Sequence, residues 1–174
     1  MNSLYCETFV KRKNTGTVYL AKAGVVFAAL LLVALAVLFG GSGMIGYIFM
    51  MLAALSVVGV FYVMKMFNVD YEYIFCDGQI DFDVISGGER RKTKLRVDFD
   101  NLDVMAPISS HELDSLSNRQ VKVFDFTSRE PDAKRYVLFA RDSKNQQQVK
   151  VIFEPDEKMV SYSKQKAPRK VFTD

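Results

Sequence analysis

Residues 23–39 and 44–64 form two apolar stretches with no Asp, Glu, Lys or Arg, separated only by Gly40, Gly41, Ser42 and Gly43. At about 1.5 Å rise per residue the second stretch is roughly 31 Å long as a helix, enough to cross a ~30 Å hydrocarbon core. The first is about 25 Å long and spans if its helix begins near Val18 and Lys22 snorkels toward the interface. The sequence therefore predicts a transmembrane hairpin over residues 18–66. A secretory signal peptide also has a basic region before an apolar run ending in small residues. The second run argues against it, because cleavage near Gly41 would leave residues 44–64 as an N-terminal span. A Gly-rich link is instead what two antiparallel helices need to turn tightly.

Charge sets the expected orientation. Lys11, Arg12, Lys13 and Lys22 precede the first span, Lys65 follows the second, and the link carries no charge. By the positive-inside rule the expectation is a multi-pass cell-membrane protein with both termini in the cytoplasm. Gly24, Ala28, Ala29, Gly46, Ala53, Ala54, Ser56 and Gly59 let helix backbones approach closely. That closeness serves packing inside the hairpin or a dimer interface. With no ionisable group inside either span, a proton relay or ion path has nothing to be built from.

Outside the spans there is room for one soluble domain of about 105 residues. The net charge of +3 belongs mostly to the membrane-flanking part. A nucleic-acid binder would concentrate positive charge on its folded domain, so that class is not expected. Two cysteines, Cys6 and Cys76, far apart in the chain, exclude a disulfide framework and a four-ligand zinc site by count. Cys76 falls in an apolar alternation and reads as a buried, inert thiol. Cys6 lies ahead of a basic run, where S-acylation is the functional alternative.

Residues 1–17 hold Leu4, Tyr5, Phe9 and Val10 beside the basic run. Two readings stand for this cytoplasmic segment: a short interfacial amphipathic turn, or a frayed end whose charges only set topology. From Tyr71 the period changes to two. Strands are expected at 71–76, 79–85, 91–99, 102–106, 121–126, 135–141 and 147–153, with Asp77-Gly78 and Ser86-Gly87-Gly88 as turns. Ser109-Ser110-His111-Glu112 reads as a capping box, Ser109 at the N-cap and Glu112 three residues in, opening a short helix to about Leu116. A last helix runs from Pro155, at its first position, to about Lys166, and residues 167–174 read as a loose tail.

About seven short strands followed by one amphipathic C-terminal helix is the element order of a pleckstrin-homology-like barrel, over residues 67–166. A plain antiparallel sheet with two helices is the competing fold. Val10-Lys11-Arg12-Lys13, Tyr71-Glu72-Tyr73, Asp77-Gly78, Asp103-Val104-Met105-Ala106-Pro107 and Phe153-Glu154-Pro155-Asp156-Glu157-Lys158 resemble an uncharacterised family of small bacterial membrane proteins, a domain of unknown function, along nearly the whole chain. More loosely, the chain resembles bacterial membrane proteins in which a two-helix hairpin precedes a pleckstrin-homology-like domain. The resemblance implies the layout, and no catalytic or ligand residue carries over from it.

The most conspicuous charged cluster is Glu89, Arg90, Arg91, Lys92, Lys94 and Arg96. Arg90, Arg91, Lys92, Lys94 and Arg96 are the candidate contacts to anionic headgroups or to an acidic partner. The alternative is a solvated sheet face. With a loop over residues 86–89, Ile85 faces Arg90, Asp83 faces Lys92 and Asp81 faces Lys94, leaving Arg90, Arg91 and Arg96 uncommitted. His111 is the only histidine and is expected as an exposed helix-start residue. Asp98, Asp100 and Asp103 are either a weak divalent-cation site or turn residues bonding their own backbone.

No nucleophile elbow, Walker loop, zinc-protease signature or dinucleotide turn is present. The Tyr and Phe of the second half follow strand periodicity and read as core, with no base-stacking platform. No catalytic residue, metal or cofactor is expected. The leading expectation is a non-enzymatic, membrane-anchored interaction or scaffold module whose partner is another membrane protein, its own copies or headgroups. Two other classes are an anionic-lipid-sensing domain and a small transporter or channel subunit, the latter disfavoured by the uniformly apolar spans.

Overall fold

In the computed structural model the residues described are 4–117 and 119–173. Residues 1–3 of the N-terminal segment and Asp174 of the tail lie outside them. The chain divides into two compact units: one of residues 14–69 with the turn 86–88, the other of residues 1–13, 70–85 and 89–174.

The first unit holds two helices, α1 (Gly16–Phe39) and α2 (Met44–Phe67), each long and apolar enough to cross a membrane. Only small residues are buried within the pair: Ala29, Ala36, Gly46 and Ala53. Gly46 marks the tightest approach, since a Cβ there would lie 2.4 Å from the Phe39 carbonyl oxygen. The turn needs Gly43 for its φ of 62°, a conformation that costs other residues energy. Lys22 donates to the Asn68 side-chain carbonyl at 2.9 Å, and the Gly87 N–H donates to the Asn68 main-chain carbonyl at 2.8 Å.

The second unit is one seven-stranded sheet in the order β1-β2-β3-β4-β6-β7-β5. Its strands are β1 (Tyr5–Lys11), β2 (Val69–Cys76), β3 (Gln79–Ser86), β4 (Arg90–Pro107), β5 (Lys122–Asp125), β6 (Tyr136–Asp142) and β7 (Gln148–Phe153). A C-terminal helix, α4 (Glu157–Lys166), follows. The expected number of strands holds, but with a different membership. The N-terminal segment is neither an interfacial turn nor a frayed end. It is strand β1, paired antiparallel with β2 from Tyr5↔Cys76 to Lys11↔Asp70. The two strands expected at 91–99 and 102–106 are one long β4.

That strand stays continuous because it bulges. Between Val97↔Asp142 and Leu102↔Ala140, β4 advances five residues while β6 advances two, so residues 98–101, with Asp98 and Asp100 among them, are taken up as an irregularity inside the strand. The shift lets β4 serve both halves of the sheet, which face each other across an aromatic core. Tyr73 of β2 and Phe82 of β3 meet Phe153 of β7 at ring distances of 5.5 and 5.3 Å, and Phe82 stacks on Phe126 at 5.1 Å. The Tyr73 hydroxyl donates to the Phe126 carbonyl at 2.5 Å, which gives the buried phenol the partner it requires.

The other face of the β4–β6 half is covered as well. Val104, Ala106, Val137 and Phe139 pack with Leu113, Leu116 and Phe172. Burial on both faces explains why Val104-Met105-Ala106 is continuously apolar instead of alternating. Leu113 and Leu116 come from a 3-10 turn at His111–Leu113 and a short helix α3 (Asp114–Ser117). Its N-cap is Ser110, one residue later than expected, and no side-chain cap bond forms. For α4 the N-cap is Asp156, which accepts from the Met159 N–H at 2.8 Å, so Pro155 precedes the helix rather than beginning it. Residues 167–173 are not a loose tail. Met105 N–H donates to the Lys170 carbonyl and Phe172 N–H to the Met105 carbonyl, both at 2.8 Å, and Val171 is fully buried.

Phe82 contacts three aromatic partners from both halves of the sheet and is fully buried. Phe82→Ala is expected to destabilise the sheet unit by about 3–5 kcal/mol. Urea unfolding of the full chain in micelles, followed by tyrosine fluorescence, measures it; an unchanged midpoint would contradict this core.

Candidate functional site

The basic stretch opening β4 was the sequence's foremost site candidate, and the structure sorts its members differently from the expected pairing. The connection from β3 to β4 is three residues long, Gly87 to Glu89, with Gly87 and Gly88 at φ of 63° and 75°. Downstream, the Phe99 N–H donates to the Gly78 carbonyl at 2.8 Å. This register brings Arg96, not Lys94, to Asp81. The Arg96 guanidinium binds both carboxylate oxygens, at 2.7 and 2.5 Å, the bidentate fork that suits arginine. Nor does Asp83 pair with Lys92; Arg91 approaches it at 3.9 Å and contacts Glu72 at 2.6 Å.

Arg91 and Arg96 are therefore committed to carboxylates, whereas the expected pairing left them uncommitted. Arg90, Lys92 and Lys94 are exposed and, among the described residues, form no ion pair. The carboxylates that hold Arg91 are unusual. The Glu72 and Asp83 side chains are only 10% and 5% exposed, on neighbouring strands, and Asp83 Oδ1 accepts no hydrogen bond from the described residues. Burial raises the Glu72 carboxyl above its ordinary pKa; Arg91 pulls it down, while Glu7 and Asp83 push it further up. One half-exposed guanidinium thus serves two buried carboxylates.

The basic run before the hairpin is also partly used inside the sheet unit. Arg12 sits over the Tyr71 ring at 5.8 Å, and Lys13 pairs with Glu130 at 2.9 Å while its N–H donates to the Ser128 carbonyl. The cysteines exchange their expected environments. Tyr71, Tyr73 and Phe75 are the core-facing residues of β2, so Cys76 falls on the opposite side and is exposed. Cys6 is buried beneath β1, and its thiol is pushed up to about 11 by burial first and by Asp156 second. A buried thiol held protonated is a poor acylation site.

His111 is exposed, its Nδ1 3.3 Å from Asp114. Asp98 accepts the Asp100 N–H at 3.0 Å, the turn role expected for it. Asp103 is approached by Arg119 at 3.8 Å and by Gln148 at 3.5 Å. Among the described residues, no three His, Cys, Asp or Glu side chains stand together as a metal ligand set. Sequence reasoning missed a cleft of ≈ 460 Å³ at the β4 bulge, lined by Asp100, Asp103, Leu116, Arg119, Arg141 and Lys170. Its charges come from four separate parts of the chain, so no local motif announces it.

A seven-stranded sheet folded across an aromatic core and followed by a C-terminal helix defines a pleckstrin-homology-like domain, here carrying two long apolar helices between its first two strands. The family model described as bacterial PH-like domain (DUF6106), a family of unknown function, matches residues 2–173, and the chain belongs to that family. No curated protein and no solved structure was found to match the chain.

Removing Arg91 leaves Glu72 and Asp83 buried together without a counter-charge. Arg91→Gln is expected to cost about 1–3 kcal/mol at neutral pH. Glu72 binds its proton more readily folded than unfolded, and more so without Arg91. The cost is therefore greatest above its folded pKa and shrinks as the pH falls toward the ordinary carboxylate range. Melting of the variant and the parent chain at about pH 7 and about pH 5 measures this. A deficit equal at both pH values would contradict the pairing.

Proposed function

We propose that the protein is a non-enzymatic, membrane-anchored interaction module, with α1 and α2 in the bilayer and the sheet unit and both chain ends on the cytoplasmic side. The observation that carries this reading is the pairing of Lys11 with Asp70, the cross-strand pair nearest the helices in the chain. A chain that leaves a sheet at one residue and returns at its cross-strand neighbour has to enter and leave the bilayer on one side. The positive-inside rule then selects the cytoplasmic side, through Lys11, Arg12, Lys13, Lys22 and Lys65.

Two observations favour a second reading, contact with anionic headgroups. Arg90, Lys92 and Lys94 are exposed and unpaired among the described residues, and they follow a turn that groups with the helices. Basic residues near an anionic leaflet contribute about 1 kcal/mol each.

Reporter fusions at the C-terminus and within residues 40–43 test the orientation. The C-terminal reporter is expected to be active in the cytoplasm and the loop reporter outside it; the reverse would overturn the reading. A photo-crosslinking residue at position 92, in the full chain in native membranes, separates the readings of the basic stretch. Anionic lipid adducts that diminish when Arg90 and Lys94 are neutralised are expected if it meets headgroups. Protein adducts alone would reject headgroup contact there.

A further inference from the structure

Strand β1 ends the sheet on one side. The Asp77 N–H donates to the Leu4 carbonyl, and the register then runs without a shift from Tyr5↔Cys76 to Lys11↔Asp70. In an antiparallel pair, bonded residues alternate. The peptide groups of Cys6, Thr8 and Val10 therefore turn toward β2, and those of Tyr5, Glu7, Phe9 and Lys11 turn outward. Among the described residues, no backbone partner meets this outward row until Lys13, whose N–H donates to Ser128. Helix α4 approaches β1 on the side of the buried Cys6, where Asp156 and Lys158 act on the thiol.

An open edge of this kind is a template for another strand, and proteins ordinarily blunt it with charged side chains, proline, a bulge or cover. Tyr5–Lys11 has no proline, no glycine and no register shift. It also exposes aromatic surface: Tyr5 is 48% and Phe9 59% accessible. Glu7 accepts the Tyr5 hydroxyl within the chain, and Lys11, among the described residues, has no ion-pair partner.

The sequence of the edge selects its own partner. If a second copy adds antiparallel, outward-pointing residues pair with outward-pointing residues, so few registers are possible. Centred on Glu7, the pairing sets two like charges against each other. Centred on Thr8, it sets Glu7 against Phe9 and Tyr5 against Lys11. Centred on Phe9, it sets Glu7 against Lys11 twice and Phe9 against Phe9. Only that last register satisfies every charge and covers the exposed phenylalanine, and it has the two-fold symmetry of an isologous dimer.

We propose that a second copy of this chain docks on the β1 edge, antiparallel and centred on Phe9, so that two sheets become one continuous sheet. The inference rests on the interaction-module reading and names its partner. A shared bilayer raises the local concentration of copies, and main-chain bonds supply affinity while Glu7 and Lys11 supply register.

Charge exchange tests it without touching the core. Full-length chain in nanodiscs or mild detergent, sized by light scattering, is expected to be dimeric. Glu7→Lys and Lys11→Glu each set two pairs of like charges opposite one another and are expected to weaken the dimer on the order of tenfold. The double variant restores both pairs and is expected to restore the dimer. A monomeric parent chain that nevertheless fractionates with membranes overturns this proposal while leaving the anchored-module reading standing; a chain that does not fractionate with membranes overturns that reading. A dimer indifferent to both single reversals also overturns the proposal, placing self-association elsewhere.

Discussion

The pairing of β1 with β2 is the contact on which the rest of the molecule depends. It joins residues 5–11 to residues 70–76 across both apolar helices, so the helical hairpin is an insertion within a β-hairpin rather than a leader placed before a domain. Several features follow from that one constraint. The ends of the insertion are held at neighbouring positions in the sheet. The N-terminal residues are structural, and Arg12 and Lys13, which elsewhere would serve topology alone, find Tyr71 and Glu130 within the fold. A fragment beginning after α2 would lack an edge strand.

The two units are held by different physics. In the helices there are only small buried residues and a glycine turn, the packing that close approach of two apolar helices requires. The sheet unit has a dry aromatic centre, a second apolar layer over β4 and β6, and charges organised on its outside. Across β2, β3 and the start of β4 the charges fall into three sets. Asp81 and Arg96 neutralise each other, Glu72 and Asp83 share Arg91, and Arg90, Lys92 and Lys94 remain available. Arg90, Lys92 and Lys94 cluster at the start of β4, which is why the headgroup reading concentrates there.

Much of this was legible in the sequence. The apolar stretches declare themselves by composition, β2 and β3 by alternation around Asp77-Gly78, and α4 by its charged ends and buried stripe. What escaped did so for identifiable reasons. Strand β1 alternates only weakly, and its partner comes long after it in the chain, beyond the hairpin. The acid-rich residues 98–103 look like a turn because sequence patterns do not distinguish a bulge inside a strand from a break between strands. Val171 and Phe172 pack on β4 through long-range contacts that no local pattern encodes. Within the site, the residue types were legible but their pairing was not: the register between β3 and β4 lies two residues from the expected one, which moved Asp81 from Lys94 to Arg96. The parity of β2, with its tyrosines inward, likewise placed Cys76 outside and left Cys6 as the buried thiol.

The most direct test of the account is whether β1 lies beside β2 in the full-length chain. Glu7 and Ile74 are cross-strand partners in a non-hydrogen-bonded pair, where Cα atoms stand about 4.5 Å apart, close enough for a disulfide. With Cys6→Ala and Cys76→Ser as background, the full-length Glu7→Cys/Ile74→Cys variant should form an intramolecular disulfide under mild oxidation, seen as a cross-linked peptide by mass spectrometry. Its absence, in chain that is folded and in membranes, would contradict the insertion of the helices into a β-hairpin and the one-sided topology that follows from it.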